Sequence, residues 1–440
     1  MSQTPKVLIT GVGLVTPLGA DRESTWQALL AGHRAVRHLP NIGPDWLAGS
    51  AAAVAVPSDR AAQACRDSDL SSLLTEQTID HAASAALEAV EHAGIDWEFV
   101  DPARAACVIG TSKGGMHSWY RTMQSRRLQK ETYSDAEQGT AKQKLSGRQS
   151  ETSEPECPAA AWLRLAPDGP ACTVASLFNL QAGALAPVTA CATGLSSILR
   201  GAELIRSGHC DLVLAGSSDA SVSPAVLASF RKLGVLASTN DDPAGAVRPF
   251  DRRRSGFVIG EGAGIVVLES ETHAAARNAE PLAEWLTGGM VCAAAGLMQL
   301  EGEPEALPWL IRDVLRRSQV SPGQVDYISL HGTATKTNDL AEVRAIKAAF
   351  GPVAGQLSAS SLKGAIGHLL GAAGSVELAA TVLAIRDGRL PPTMNLTSPD
   401  NECDLDFVAG KSQACDVSHA MKLSLGFGGH LVAGIIRRPD

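Results

Sequence analysis

The stretch from Val188 to Asp219, VTACATGLSSILRGAELIRSGHCDLVLAGSSD, holds in one pass the unit from which this chain is built. A short apolar run reaches Cys191 among small residues. Gly194 to Gly208 then carries apolar residues at helical spacing and ends on a glycine, and Cys210 to Asp219 is an almost unbroken apolar run. The first pattern predicts a helix and the second a strand buried on both faces. Cys191 has two readings. Most free cysteines are small buried hydrophobes. A thiol between a strand and a helix start also sits where free N–H groups and the helix dipole favour the thiolate.

The pattern recurs along the chain. Lys6 to Thr16, Ala105 to Gly110 and Gly262 to Ser270 read as buried strands, and Leu73 to Gly94 as a long amphipathic helix. Further on, LPWLIRDVLRRSQ, DLAEVRAIKAAFG and GSVELAATVLAIRDG read as helices, VDYISLHGT as a strand ending in a polar loop, and HLVAGIIRR as a closing strand. Apolar strands alternating with helices predict an α/β fold with parallel or mixed sheets and helices on both faces. Two such halves meet near residue 275, giving an N-terminal half over 1–275 and a C-terminal half over 276–440. Residues 124–156 are polar without periodicity and read as a solvated excursion, or as a lid or docking element.

The chain has 440 residues, 45% hydrophobic and 19% charged, with a net charge of −8. That composition is core-rich and suits one large double domain or two ordinary ones. Without a concentrated basic tract, nucleic acid is an unsuitable partner. No run is long and apolar enough for a membrane span, and the first residues lack a signal-peptide core. The nine cysteines are scattered, odd in number and form no CxxC pair. They predict no metal site and a reduced, cytoplasmic setting.

Three further stretches carry candidate chemistry. HGTATKTND (His331 to Asp339) follows a strand, where ligand sites of α/β sheets lie; a structural loop histidine is the alternative. SLKGAIGHLLGAAGSVE (Ser361 to Glu377) sets Lys363 and His368 on either side of a glycine turn, with surface roles as the alternative for Lys363 and Glu377. LGFGGH (Leu425 to His430) is a glycine loop before the last strand, and its Phe427 is either a movable stopper or a core aromatic. One cysteine, two histidines, a lysine and a glycine loop suit carbon–carbon bond formation through a thioester.

With these residues in view, the chain resembles the β-ketoacyl-acyl-carrier-protein synthases, nearest to the elongating type II condensing enzymes on the thiolase fold. The likeness rests on VLITGVGLVTPLG, TACATG, RPFDRRRSGFVIGEGAGIVVLE, HGTATKTNDLAE, KGAIGHLLGAAGSVE, PPTMNLTSPDNECDLDFV and GFGG, in that order over nearly the whole chain. It implies a layered α-β-α-β-α sandwich. It implies that Cys191 accepts the acyl group, and that His331 and His368 promote malonyl decarboxylation and stabilise the enolate. Lys363 would organise His368 and the thioester region, with Glu377 its buried acidic partner and Asp339 in support. Thr333 and Thr335 would bind the pantetheine arm. Phe427 would gate the site and, through its N–H and that of Cys191, form the oxyanion hole. The partner implied is acyl-carrier protein bearing acyl and malonyl groups, the assembly a homodimer, and no cofactor is needed.

The chain departs from the family pattern at several points. His430 and Leu431 replace a threonine-asparagine pair, Lys336 and Asn338 replace a proline and a glycine, and VCAAAGLMQLEGEPE lacks a tyrosine-histidine segment. The segment before Cys191 is longer, through the polar excursion. Pro187 stands in the strand that pairs across the family's dimer axis. It has no N–H to give, so the dimer contact is expected to be shortened or altered. A thiolase would need a second cysteine in the C-terminal glycine loop, which LGFGGH lacks. A non-catalytic partner subunit would have lost Cys191. A specialised or decarboxylase-only homologue, or a carrier-binding scaffold with impaired catalysis, remains the alternative.

Overall fold

A computed structural model describes residues 5–40, 42, 47, 49–125, 158–239, 242–294 and 305–439. Most of the 124–156 excursion and of VCAAAGLMQLEGEPE lies outside these residues. The principal strands are β1 (Val7–Val15), β2 (Ala105–Gly110), β3 (Gly183–Leu185), β4 (Leu212–Asp219), β5 (Gly262–Ser270), β6 (Ala283–Cys292), β7 (Tyr327–Ser329), β8 (Ser358–Ser360), β9 (Asp406–Phe407), β10 (His419–Gly426) and β11 (His430–Arg437). The principal helices are α1 (Gln77–Ala93), α2 (Gly169–Leu177), α3 (Thr193–Arg206), α4 (Ala306–Ser318), α5 (Lys336–Phe350) and α6 (Ala373–Asp387).

Strand order repeats between the halves. The first reads β1-β5-β4-β2-β3 and the second β6-β11-β10-β7-β8, with β9 added at the edge. In each, the first two pairings are antiparallel and the next two parallel. The half-sheets join where Val7–Ile9 of β1 pairs with Ala283–Trp285 of β6. Helices α1 and α2 cover the outer face of the first half-sheet, and α4 with α5 the outer side of the second. Between the sheets lie α3 and α6, each touching strands of both halves and each other. The result is the five-layered α-β-α-β-α sandwich, an α/β fold with mixed sheets. Among the described residues no helix is long and apolar enough to cross a membrane.

The sequence explains the central layer. From Ala373 to Ile385 every residue of α6 is buried, mostly apolar ones, with Glu377 the one charged group among them. It comes close to α3 because both helices offer a glycine at the crossing. A Cβ on Gly374 would sit 2.7 Å from the Leu195 nitrogen, and one on Gly194 would collide with the Ser375 backbone.

Several boundaries differ from expectation. The long helix starts at Gln77 rather than Leu73, because Asp69–Thr75 winds as a 3₁₀ turn, and it ends at Gly94 with φ 60°. The run before Cys191 is not a strand up to the nucleophile: β3 stops at Leu185, and Pro187 follows in irregular backbone. LGFGGH is only partly a loop. Leu425 and Gly426 complete β10, and the chain reverses at Phe427–Gly429 into β11. Gly428 and Gly429 carry φ of 86° and 80°, the left-handed conformation that glycine adopts at no steric cost.

Candidate active site

The nucleophile turn is built locally. Ala190 has φ 50°, Ala190–Ala192 form one 3₁₀ turn, and α3 begins at Thr193. Thr193 pins this turn: its hydroxyl accepts the Thr189 N–H at 2.9 Å and donates to the Ala190 carbonyl at 2.8 Å. Cys191 is only 6% exposed, packed in a cluster with Val222, Phe257 and Leu370. Burial pushes its thiol up to about 11, while Lys113, Lys363 and the N–H of Phe427 pull the other way. The expected place at a helix start therefore holds, but the resting thiol is not acidic, since desolvation outweighs the favourable charges.

His331 sits just past the end of β7, and its backbone is held on both sides. Glu342 of α5 accepts the N–H groups of His331 at 2.6 Å and Gly332 at 2.8 Å, and Lys363 Nζ donates to the His331 carbonyl at 2.5 Å. His368 lies edge-on to Phe257, with ring centroids 4.9 Å apart, and edge-on to His331 at 5.4 Å. Both imidazoles are pushed well below the usual histidine range by burial first, then by Lys363 and other positive neighbours. Both are neutral at pH 7. His368 Nδ1 accepts the Leu370 N–H at 3.3 Å, which puts its ring hydrogen on Nε2, available as a donor.

Behind the histidines lies a buried ionic cluster. Lys363 Nζ is 2.5 Å from Glu377 Oε1, and Lys422 Nζ is 2.7 Å from Glu377 Oε2, the second an ion pair by distance rather than an aligned hydrogen bond. Lys363 and Lys422 are fully buried and Glu377 is 1% exposed. Lys363 thus acts on the backbone of His331; its hydrogen bonds do not reach the His368 ring, which it was expected to organise. Asp339 braces the same loop, accepting the N–H groups of Phe250 at 2.8 Å and Ala334 at 3.1 Å. Burial raises Asp339 to about 6 and Glu342 to about 7.

A pocket of about 180 Å³ connects these groups. Cys191, His331, His368, Thr333, Thr335 and Phe427 all line it. The hydroxyls of Thr333 and Thr335 bond each other at 2.9 Å. Phe427 is half-buried and stacks on Phe230, ring centroids 6.3 Å apart. So all nine candidate residues fall into one neighbourhood, six on the pocket wall and Lys363, Glu377 and Asp339 behind it.

The departures from the family pattern also have places. His430 opens β11 opposite Cys292 of β6, and Leu431 is buried in the core. Lys336 is the exposed first residue of α5, and Asn338 is buried, donating to Asp339 at 3.3 Å. Sequence reasoning missed Lys113, Asp219, Glu342 and Lys422. Lys113 lies 3.5 Å from Asp219, whose carboxylate also accepts the Gly371 N–H at 3.1 Å. Glu342 had a readable signal, an acidic residue three positions after Asp339 at the start of a helix that follows the histidine loop. Lys422 had one too, a lone lysine inside an apolar strand.

Comparison with known proteins agrees with this geometry. The family model for the beta-ketoacyl synthase N-terminal domain matches residues 4–274, and that for its C-terminal domain matches residues 287–397. The chain is 35% identical over 431 residues to the 3-oxoacyl-acyl-carrier-protein synthase 2 of Coxiella burnetii, covering 96% of each chain. A solved type II polyketide ketosynthase, in complex with its acyl-carrier protein and bound to the hexaketide, superposes with TM-score 0.83 at 28% identity, each chain fully covered. A beta-ketoacyl synthase from Burkholderia phymatum superposes with TM-score 0.81 at 29% identity, covering 99% of this chain and 100% of the other. A cysteine turn, two neutral histidines and a buried lysine on a thiolase-like sandwich are thus joined by matches over both halves, and the chain belongs to the beta-ketoacyl synthase family.

Proposed function

We propose that the chain catalyses decarboxylative Claisen condensation: an acyl group held on Cys191 joins malonyl-acyl-carrier protein to give 3-oxoacyl-acyl-carrier protein. The observation that carries this reading is the convergence of Cys191 with two neutral histidines in one pocket. In the first half-reaction the Cys191 sulfur, deprotonated, attacks the carrier thioester. The carrier thiol leaves with a proton and the acyl group stays on sulfur. The Phe427 N–H, which faces the sulfur at rest, offsets the charge on the thiolate and then on the tetrahedral oxyanion, together with the N–H of Cys191.

In the second half-reaction malonyl-carrier enters past Thr333 and Thr335. Its carboxylate leaves as carbon dioxide, and the electron pair of the broken bond forms an enolate. Neutral imidazoles suit this step, since they donate hydrogen bonds to the enolate oxygen without protonating its carbon. The enolate carbon attacks the acyl-cysteine carbonyl, a carbon–carbon bond forms and the Cys191 thiolate leaves. No step requires a metal or an organic cofactor.

The assembly belongs to the same reading. The repeated strand order supports halves at 1–275 and 276–440. The carrier is the macromolecular partner, and free thiols fit a cytoplasmic setting. Leu185 and Val188 are 37% and 49% exposed beside the edge strand β3. They support a homodimer along that edge, with strand pairing cut short before Pro187; a monomer in sedimentation at micromolar concentration would contradict it. The activity is tested by intact mass after incubation with a series of acyl-carrier thioesters, then with malonyl-carrier. A Cys191-dependent adduct chased to a 3-oxoacyl product is expected. Carrier binding without any adduct would favour a scaffold.

A further inference from the structure

The cluster behind the histidines holds one lysine more than the reading above uses. Lys422 lies in β10, and both lysines approach one carboxylate, on opposite oxygens. Removing a lysine ammonium from water is costly unless charges and hydrogen bonds replace the water. Here the replacement is specific. Besides Glu377, Lys422 Nζ donates to the carbonyls of Leu423 at 2.6 Å, Leu330 at 3.2 Å and Ser329 at 3.4 Å.

Those carbonyls are informative. Ser329 and Leu330 are the two residues before His331, and Leu423 lies four residues before Phe427, where the chain reverses. Lys422 therefore ties β7, which ends at the histidine, to β10, which ends at the Phe427 N–H facing Cys191. These strands are paired in parallel, with Lys422 opposite Ser329. In the His331 segment the N–H groups of His331 and Gly332 are thus taken by Glu342, the His331 carbonyl by Lys363 and the Leu330 carbonyl by Lys422.

We propose that Lys422 is a positioning residue for the condensation: through Glu377 and the Ser329–Leu330 carbonyls it fixes the His331 loop against the Phe427 strand and supplies a second buried positive charge behind both catalytic imidazoles. The inference rests on the condensing-enzyme reading. Its electrostatic part has company on every side. The other charged or titratable groups around the two histidines, which also face each other, are Lys363 on the turn before His368, Lys113 beyond β2, Glu377 on α6, Glu342 on α5, Asp219 at the end of β4 and the Cys191 thiol. Lys422 acts with Lys363 to keep both rings neutral.

The test uses the full chain and two variants, Lys422→Met, which keeps length and removes charge, and Lys422→Arg, which keeps charge. Nitrogen-15 histidine spectra follow the titration of His331 and His368, and malonyl-carrier decarboxylation is followed beside them. The expected result for Lys422→Met is upward movement of both imidazole titrations. Decarboxylation kcat falls about tenfold or more at unchanged KM, and the acid limb of its pH profile shifts to higher pH. Lys422→Arg restores the titrations at least in part. If Lys422→Met is unfolded, Lys422→Gln, which removes the charge but keeps an amide donor for the Ser329 and Leu330 carbonyls, is measured instead. Unchanged titrations and kcat in a folded variant overturn the proposal. A wild-type chain that never decarboxylates malonyl-carrier, while its histidines still respond to Lys422→Met, would sink the condensing-enzyme reading and leave only the electrostatic contact of Lys422 with the two rings.

Discussion

The two halves use one backbone device for different ends. In the first, Ala190 at φ 50° opens a 3₁₀ turn, Ala190–Ala192, and α3 follows at Thr193. In the second, Leu370 at φ 49° opens a 3₁₀ turn, Leu370–Ala372, and α6 follows at Ala373. The position matching Cys191 is Gly371. There the first half aims a sulfur into the pocket. In the second half a Cβ would sit 2.6 Å from the Ser112 nitrogen and 2.8 Å from Asp219, so the space is taken by the opposite half. The chemistry has moved upstream in the second half, to His368 before the turn and to Lys363 and His331 behind it. Equal topology therefore does not mean equal function. One repeat supplies the nucleophile, and the other supplies hydrogen-bond donors and charge.

That division predicts the largest effect at Cys191. Cys191→Ala should lower condensation about 10³-fold or more, because the covalent intermediate is lost. Decarboxylation of malonyl-carrier should survive, since its groups lie in the other half. Carbon dioxide release by the variant checks this, and its loss would break the comparison. Next comes the charge of the second half. Glu377→Leu leaves Lys363 and Lys422 facing each other with that carboxylate gone. Such uncompensated burial costs about 3–5 kcal/mol, read as a lower midpoint in urea. At the seam, Gly374→Ala puts a methyl 2.7 Å from the Leu195 backbone nitrogen. Overpacking of that kind costs about 1–3 kcal/mol. Thermal unfolding should show it, with condensation falling as the Cys191 turn is pushed away from the histidines.

The sequence made the turns legible and left their surroundings hidden. Cys191, His331, His368 and Phe427 lie in short runs of glycine and small residues whose composition encodes a tight turn locally. α6 was legible because apolar residues run through it to a glycine stop at Gly388. What was hidden depends on distance along the chain. The thiol is not acidic because Val222, Phe257 and Leu370 close over it, and nothing near residue 191 shows that. Lys422 stands out as a lone lysine in an apolar strand, but its role was hidden because its partner Glu377 lies 45 positions earlier. β8 has three residues, too few to show a period of two. β6, AEWLTGGMVC, mixes polar and glycine residues, so its strand pattern was unreadable without its partners.

The smallest expected effect isolates one acid in the histidine loop. Burial raises Glu342 from the ordinary 4.5 to about 7. Between those values the native chain holds a proton that the unfolded chain has released, so this group stabilises the fold at low pH and that contribution is lost as pH rises toward 7. Asp339, raised from 3.8 to about 6, works in the same direction. His331 and His368 work against them. Their depressed values mean that the unfolded chain takes up protons first below 6.5, so their contribution falls as pH falls. In the native sequence the two trends partly offset each other. Glu342→Gln removes one acid and unbalances them. Glutamine cannot accept the His331 and Gly332 N–H groups as a carboxylate does, which costs stability at every pH. The pH dependence carries the information instead. Urea unfolding at pH 5.5 and pH 8 should show the variant losing more, relative to the native chain, at pH 5.5 than at pH 8. An equal loss at both would mean that Glu342 is ionised throughout and that the positive charge behind the histidines reaches it more strongly than its burial does.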